Sequence, residues 1–220
     1  MKKLHSALML LILLLVVVLP VLPFLVGRFS LRSFSCDLLF ALLFSLIIVE
    51  KIYAMILRQP DRNLLAGGQD WTAVAVGLAY VGTMYAVAFE FFGRGTGLVF
   101  LPAAGLGAVV YGLALGLRYW ALHHLGRQWA VQLDQAEVRG RSLVRTGPYA
   151  LMRHPLYLGA CLECLAIPLM FNAFWAFWLG LIVFVPLEIK RAGFEEKYLR
   201  LAFGREYEEY AHKVKGFFVL

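Results

Sequence analysis

The sequence predicts an all-α integral membrane protein with about six membrane helices, four of them spanning and two paired as a C-terminal hairpin. Three observations carry this. Of the 220 residues, 61% are hydrophobic and only 16% charged, where ordinary soluble domains carry about 25% charged residues; the mean hydropathy is +0.74. Four apolar runs are long enough to cross a bilayer, which takes about 20 residues. The basic residues, finally, are distributed unevenly among the loops.

The first run, 4–26, follows Met1-Lys2-Lys3. It is longer than the apolar region of a signal peptide and no small-residue cleavage site follows it, so it reads as a spanning helix. Runs 35–57, 71–92 and 96–120 follow, separated by Arg28/Arg32, Arg58-Gln59-Pro60-Asp61-Arg62 and Gly93-Arg94-Gly95. These four helices make up residues 1–120. Residues 121–220 form a second module, opening with a charge-rich loop over 121–154. The apolar stretch 155–187, interrupted by Pro168 and Asn172, predicts a membrane hairpin turning near Phe171-Asn172. A charged, aromatic-rich amphipathic helix completes the chain over 188–215.

Placing the N-terminus in the cytoplasm leaves only Arg28, Arg32 and Arg94 outside, out of 21 Lys and Arg residues. The positive-inside rule therefore places both termini and the 121–154 loop in the cytoplasm. The net charge of +7 then lies along the anionic inner leaflet, and no nucleic acid is needed to explain it. Cys36, Cys161 and Cys164 are odd in number and lie in or beside apolar stretches, which excludes a secreted disulfide framework. Cys161-Leu-Glu-Cys164 lacks a second ligand pair or a thioredoxin-like context, so it reads as two small apolar residues and no metal is expected. Three carboxylates fall within spans, Glu50, Glu90 and Glu163. Glu50 has Lys51 beside it and Glu90 has Arg94, whereas Glu163 lies two turns into the hairpin and is a functional candidate.

The densest pattern is Gly147-Pro-Tyr-Ala-Leu-Met-Arg-His-Pro-Leu-Tyr-Leu-Gly159. Gly147-Pro148 signals a turn, and Pro155 suits a helix's first turn, where its missing N–H costs nothing. Arg153 and His154 then stand at a helix start, whose free N–H groups and dipole favour an anion. Tyr157 offers a hydroxyl and ring, and Gly159 permits a close backbone approach. Downstream, Arg191 and Glu195 are four residues apart and share a helix face. The apolar stripe Ile189, Ala192, Leu199, Phe203 instead places Glu196 on the buried side. A solvated surface helix with ordinary ion pairs would account for this second half taken alone.

Taken together, Ser142-Leu-Val-Arg-Thr-Gly-Pro-Tyr149, Arg153-His-Pro-Leu-Tyr-Leu-Gly159 and Arg191…Glu195-Glu196…Phe203-Gly204…Tyr207…Tyr210 resemble the C-terminal core of the isoprenylcysteine carboxyl methyltransferase family. The resemblance covers residues 125–215 and extends more loosely to phospholipid N-methyltransferases. It implies a non-Rossmann, membrane-embedded methyltransferase using S-adenosyl-L-methionine. By that resemblance the cofactor is held by Arg141, Ser142, Leu143, Val144, Tyr149, His154, Pro155, Leu156, Tyr157 and Glu195, with Gln132 upstream. The family's substrate-contacting arginine falls at Arg191, and Arg153 joins it as a catalytic candidate. The stripe and the resemblance choose different glutamates; a small helix rotation, or a break at Gly193, would reconcile them, and Glu195 is taken for the site.

The implied acceptor is lipid-like or prenylated and reaches the site from the bilayer, most simply as the carboxylate of an isoprenylated cysteine. With a pKa of about 3.5 such a group is already ionised at neutral pH and needs no base. An amine or thiol acceptor would need one, with His154, Glu163 and Tyr157 nearest. A sterol-reductase-like enzyme using a nicotinamide cofactor, and a non-enzymatic membrane scaffold, are the competing readings.

Overall fold

The computed structural model describes residues 71–93, 100–126 and 142–217, and every regular element among them is helical. Helix α1 spans Trp71–Gly93 and α2 spans Leu101–Leu125. After a 3₁₀ turn at Gly147–Ala150 come α3 (Pro155–Met170) and α4 (Phe174–Leu179), then a π-helical turn (Gly180–Phe184), α5 (Val185–Phe203) and α6 (Arg205–Lys213). The runs 4–26 and 35–57, with Arg28, Arg32, Glu50 and Arg94, lie outside the described residues.

Val74–Phe91 and Leu101–Leu125 are each long and apolar enough to cross a membrane. Large apolar side chains such as Leu78, Phe89, Leu106, Val109 and Leu113 stand exposed along them. A core helix of a soluble protein hides such residues, whereas a helix in lipid presents them. These exposed apolar faces suit contact with lipid.

The sequence placed the fourth apolar run at 96–120, and the observed helix starts and ends later. Pro102 sits in its first turn, where proline is tolerated. His123 and His124 look like loop punctuation in the sequence but continue the helix. Their rings pack one turn back on Tyr119 and Trp120, and histidines suit the negative end of the helix dipole. Gly126, at φ 55°, closes the helix by donating its N–H to the Leu122 carbonyl.

The hairpin turns where expected. Asn172 takes a left-handed φ of 56°; its Nδ2 donates to the Leu169 carbonyl at 3.2 Å and its Oδ1 accepts from the Phe100 N–H at 2.6 Å. Glu90 Oε2 accepts from the Ala176 N–H at 2.8 Å, satisfying a donor in the first turn of α4. The return arm differs from expectation. It runs helically from Phe174 through Phe203 instead of ending at 187, and it breaks at Gly204, φ 50°. Residues 188–203 are therefore the far end of the hairpin's second arm. The π turn ends two residues before Pro186, whose ring and missing N–H disturb the preceding helical turn.

The longest packing seam joins α2 to α3 and is closed by glycines. A Cβ on Gly107 would lie 2.6 Å from the Met170 nitrogen and 2.8 Å from the Ala166 oxygen. Met84, Val87 and Ala88 of α1 meet Ile167, Phe171 and Ala176 in one apolar cluster. Cys161 and Cys164 are free and buried against Phe184 in another, the environment expected of two apolar residues. Glu163 ties three helices together: the Tyr80 hydroxyl donates to its Oε1 at 2.9 Å, and Arg118 Nη1 donates to its Oε2.

Candidate functional site

The site is built where the polypeptide re-enters the helical body. Gly147 adopts φ 61°, and a Cβ there would strike the His124 ring, so only glycine allows the turn to sit against the end of α2. Pro148 and Tyr149 are buried in that turn. The Tyr210 hydroxyl donates to the Tyr149 carbonyl at 2.6 Å, pinning α6 over the turn. Burial pushes the Tyr210 hydroxyl up to about 12 and the Tyr149 hydroxyl higher still, so both stay protonated donors at neutral pH.

Arg153 and His154 meet the returning C-terminal segment. Their backbone N–H groups donate to the Lys215 and Gly216 carbonyls at 2.9 and 3.0 Å. Arg153 Nη1 donates to the Ala211 and Val214 carbonyls, and its Nε and Nη2 both donate to Glu196 Oε1, at 3.0 and 2.6 Å. The same oxygen lies 2.9 Å from His154 Nε2. The hydrogen bond with His154, reinforced by Arg153, holds the Glu196 carboxyl down at about 2. Arg153 is thus a clamp on the C-terminal segment.

Glu195 faces the other way. Its Oε2 is 3.9 Å from His154 Nδ1, and its carboxylate lies against the Tyr157 hydroxyl. It opens onto a cleft lined by Leu125, Ser142, Leu143, Val144, Tyr149, Arg153, Glu195, Leu199, Phe203, Tyr207 and Tyr210. The cleft therefore unites six residues singled out from sequence: Ser142, Leu143, Val144, Tyr149, Arg153 and Glu195. His154, Pro155, Leu156, Tyr157 and Arg191 do not line it. Buried Arg191 lies one turn before Glu195 on α5, within electrostatic reach of Tyr157. Gln132 and Arg141 lie outside the described residues.

Of the other lining residues, Leu199 and Phe203 figure in the sequence only as an apolar stripe and Phe203, Tyr207 and Tyr210 only as part of the family pattern, and Leu125 is not singled out. The spacing of Tyr207 and Tyr210, three apart on one face of α6, was the available signal. The Tyr207 hydroxyl is buried without a hydrogen-bond partner among the described residues, a cost that a ligand bearing polar atoms would relieve. The cleft combines this hydroxyl with a carboxylate, Ser142, flat aromatic walls and aliphatic side chains. That set fits a ligand with a planar base, a sugar and a positive charge. Among the described residues no cluster of His, Cys, Asp and Glu is disposed to hold a metal ion.

The described residues thus form a helical body with two apolar, membrane-length helices and a polar cleft at the mouth of a helical hairpin. Residues 106–201, from within α2 through most of α5, match the isoprenylcysteine carboxyl methyltransferase (ICMT) family. The chain is 41% identical over 70 residues to the uncharacterized protein YpbQ of Bacillus subtilis, covering 32% of this chain and 40% of that one. It is 36% identical over 118 residues to a probable protein-S-isoprenylcysteine O-methyltransferase of Oryza sativa, 52% of this chain and 59% of the relative. It is 32% identical over 115 residues to the cobalt-zinc-cadmium resistance protein CzcN of Cupriavidus metallidurans, 48% of each. The matches thus span about half the length of these relatives.

Proposed function

We propose that this protein is an S-adenosyl-L-methionine-dependent methyltransferase acting on a lipid-like acceptor, in the simplest case on the carboxylate of an isoprenylated cysteine. One observation carries the reading. Ser142, Leu143, Val144 and Tyr149, from the strand of chain before and within the turn, converge with Glu195 of α5 on a single cleft. The family match supports the same reaction class.

The bound cofactor would supply an electrophilic methyl group on a sulfonium. The protein's own task is alignment and exclusion of water, which together account for large rate effects in displacement reactions. Glu195 offers a carboxylate to the cofactor's hydroxyls and positive charge. Tyr149, Phe203 and Leu199 wall the cleft with rings and aliphatic carbon. Arg191, one turn deeper along α5, can orient an acceptor carboxylate through two hydrogen bonds. A lipid-like acceptor reaches Arg191 from the bilayer side, and the cofactor enters from the cytoplasm, where the positive-inside pattern puts both termini and the 121–154 loop.

Calorimetry on the detergent-solubilised protein tests this. S-adenosyl-L-methionine is expected to bind, and Glu195→Gln or Tyr149→Ala to weaken it at least tenfold. Heat with NADPH and none with S-adenosyl-L-methionine would replace this reading with that of a membrane reductase.

A further inference from the structure

One buried carboxylate, Glu188, lies outside the lining of the cleft. Glu188 is 4% exposed, and its Oε2 has no hydrogen-bond partner among the described residues. It lies on α5 three residues before Arg191 and seven before Glu195, hence on the same face, one and two turns towards the membrane. Leaving a carboxylate oxygen buried and unsatisfied is costly, and such groups mark sites of function in membrane proteins. Among the described residues, the charged and titratable groups near it are Arg118 from α2, Tyr157, Cys161 and Cys164 from α3, and Arg191 and Glu195 on its own helix.

The charge balance of this layer decides what it can accept. Among the described residues, two arginines, Arg118 and Arg191, face three carboxyl groups, Glu163, Glu188 and Glu195, and Arg118 is paired with Glu163. A carboxylate acceptor beside Arg191 would add a fourth negative charge where there is little water to screen it. A neutral O–H or S–H group meets no such repulsion and supplies the donor that Glu188 Oε2 lacks.

We propose that the acceptor of this chain is a neutral hydroxyl or thiol on an apolar chain, and that Glu188 accepts its proton. This rests on the methyl-transfer reading and, within the lipid-like acceptors, replaces the carboxylate taken above as the simplest case with a neutral group. A lone pair on the acceptor oxygen or sulfur forms the new bond to the methyl carbon. The sulfur–methyl bond of the cofactor breaks with its electron pair left on sulfur, and the acceptor proton passes to Glu188 Oε2. Arg191 then balances the Glu188 carboxylate before transfer.

The test uses the full-length protein in detergent with 4-dodecylphenol, dodecanethiol and N-acetyl-S-farnesylcysteine as probes. Transfer of a radiolabelled methyl group from S-adenosyl-L-methionine is expected into the phenol or the thiol. Glu188→Gln should lower kcat on that acceptor about 100-fold while leaving S-adenosyl-L-methionine affinity unchanged, and the deficit should shrink as pH rises towards the acceptor's own pKa. Independently of turnover, calorimetry with S-adenosylhomocysteine present should show Glu188→Gln binding the phenol or thiol about tenfold more weakly and the farnesylcysteine more tightly. Glu188→Asp, which retains the carboxylate, should keep part of the activity. Label in the farnesylcysteine alone or in none of the three, or a Glu188→Gln variant within twofold of the parent in both assays, overturns the proposal. Loss of S-adenosyl-L-methionine binding by the parent protein would instead overturn the methyl-transfer reading itself.

Discussion

Two adjacent glutamates of α5 reach different surroundings. Consecutive residues of a helix point about 100° apart, and α5 lies in a seam where both directions are inward. Glu195 opens onto the cleft, while Glu196 takes the hydrogen bonds of Arg153 and His154. The apolar stripe chose Glu196 and the family resemblance chose Glu195. Each identified a real inward position, and no break at Gly193 is needed, because α5 is continuous there. Glu196 has a pH signature. Its pKa is depressed from the usual 4.5 to about 2, so its contribution is present above 4.5 and is lost as pH falls from there towards 2. Glu196→Gln should therefore lower the melting temperature at pH 6 and 7. The gap between the variant and the parent should narrow steadily as melts are repeated from pH 5 down to 3. A gap independent of pH would mean that the clamp does not depend on the Glu196 charge.

At the scale of elements, the sequence showed the hairpin's turn but misjudged its arms. Pro168 and Asn172 are local signals, and Asn172 does carry the left-handed residue of the turn. The extent of the return arm is not a local property. Charge beginning at Glu188 looked like a new surface helix, when the same helix simply passes from apolar surroundings into the polar site and then water. Gly159 was read as permitting a close backbone approach, and the element it admits is α2, since a Cβ there would meet the Arg118 stem at 2.4 Å. Spacing alone cannot tell which partner a glycine admits. The α2–α3 seam gives a test. At Gly107 the obstructing atoms are the Met170 nitrogen and the Ala166 oxygen, which are backbone and cannot swing aside. Gly107→Ala should force the helices apart and destabilise the protein by about 1–3 kcal/mol, read as a lower melting temperature in detergent. Gly112→Ala, on the same helix but with open space around it, should be neutral or slightly stabilising through helix propensity. Equal effects at the two positions would argue against this packing.

For the whole molecule, the decisive question is which exposed apolar surface faces lipid and which faces water. Composition answered it on average and the helices answer it by position. Leu113, near the middle of α2, is 66% exposed, and Leu201, near the end of α5 beside Arg200, is 72% exposed. Accessibility alone makes them equivalent. The bilayer does not, since a lysine at the centre of a spanning helix costs about 2.5–3.5 kcal/mol whereas a lysine on an aqueous helix end costs little. The parent protein should stay in the membrane pellet after alkaline carbonate extraction. Leu113→Lys should reduce the yield of detergent-extractable folded protein several-fold, and Leu201→Lys should leave it unchanged. If both substitutions were tolerated equally, or the parent were released by carbonate, α2 would be facing water. The apolar faces of α1 and α2 would then need a protein partner in place of lipid, and entry of the acceptor from the bilayer would fall with them.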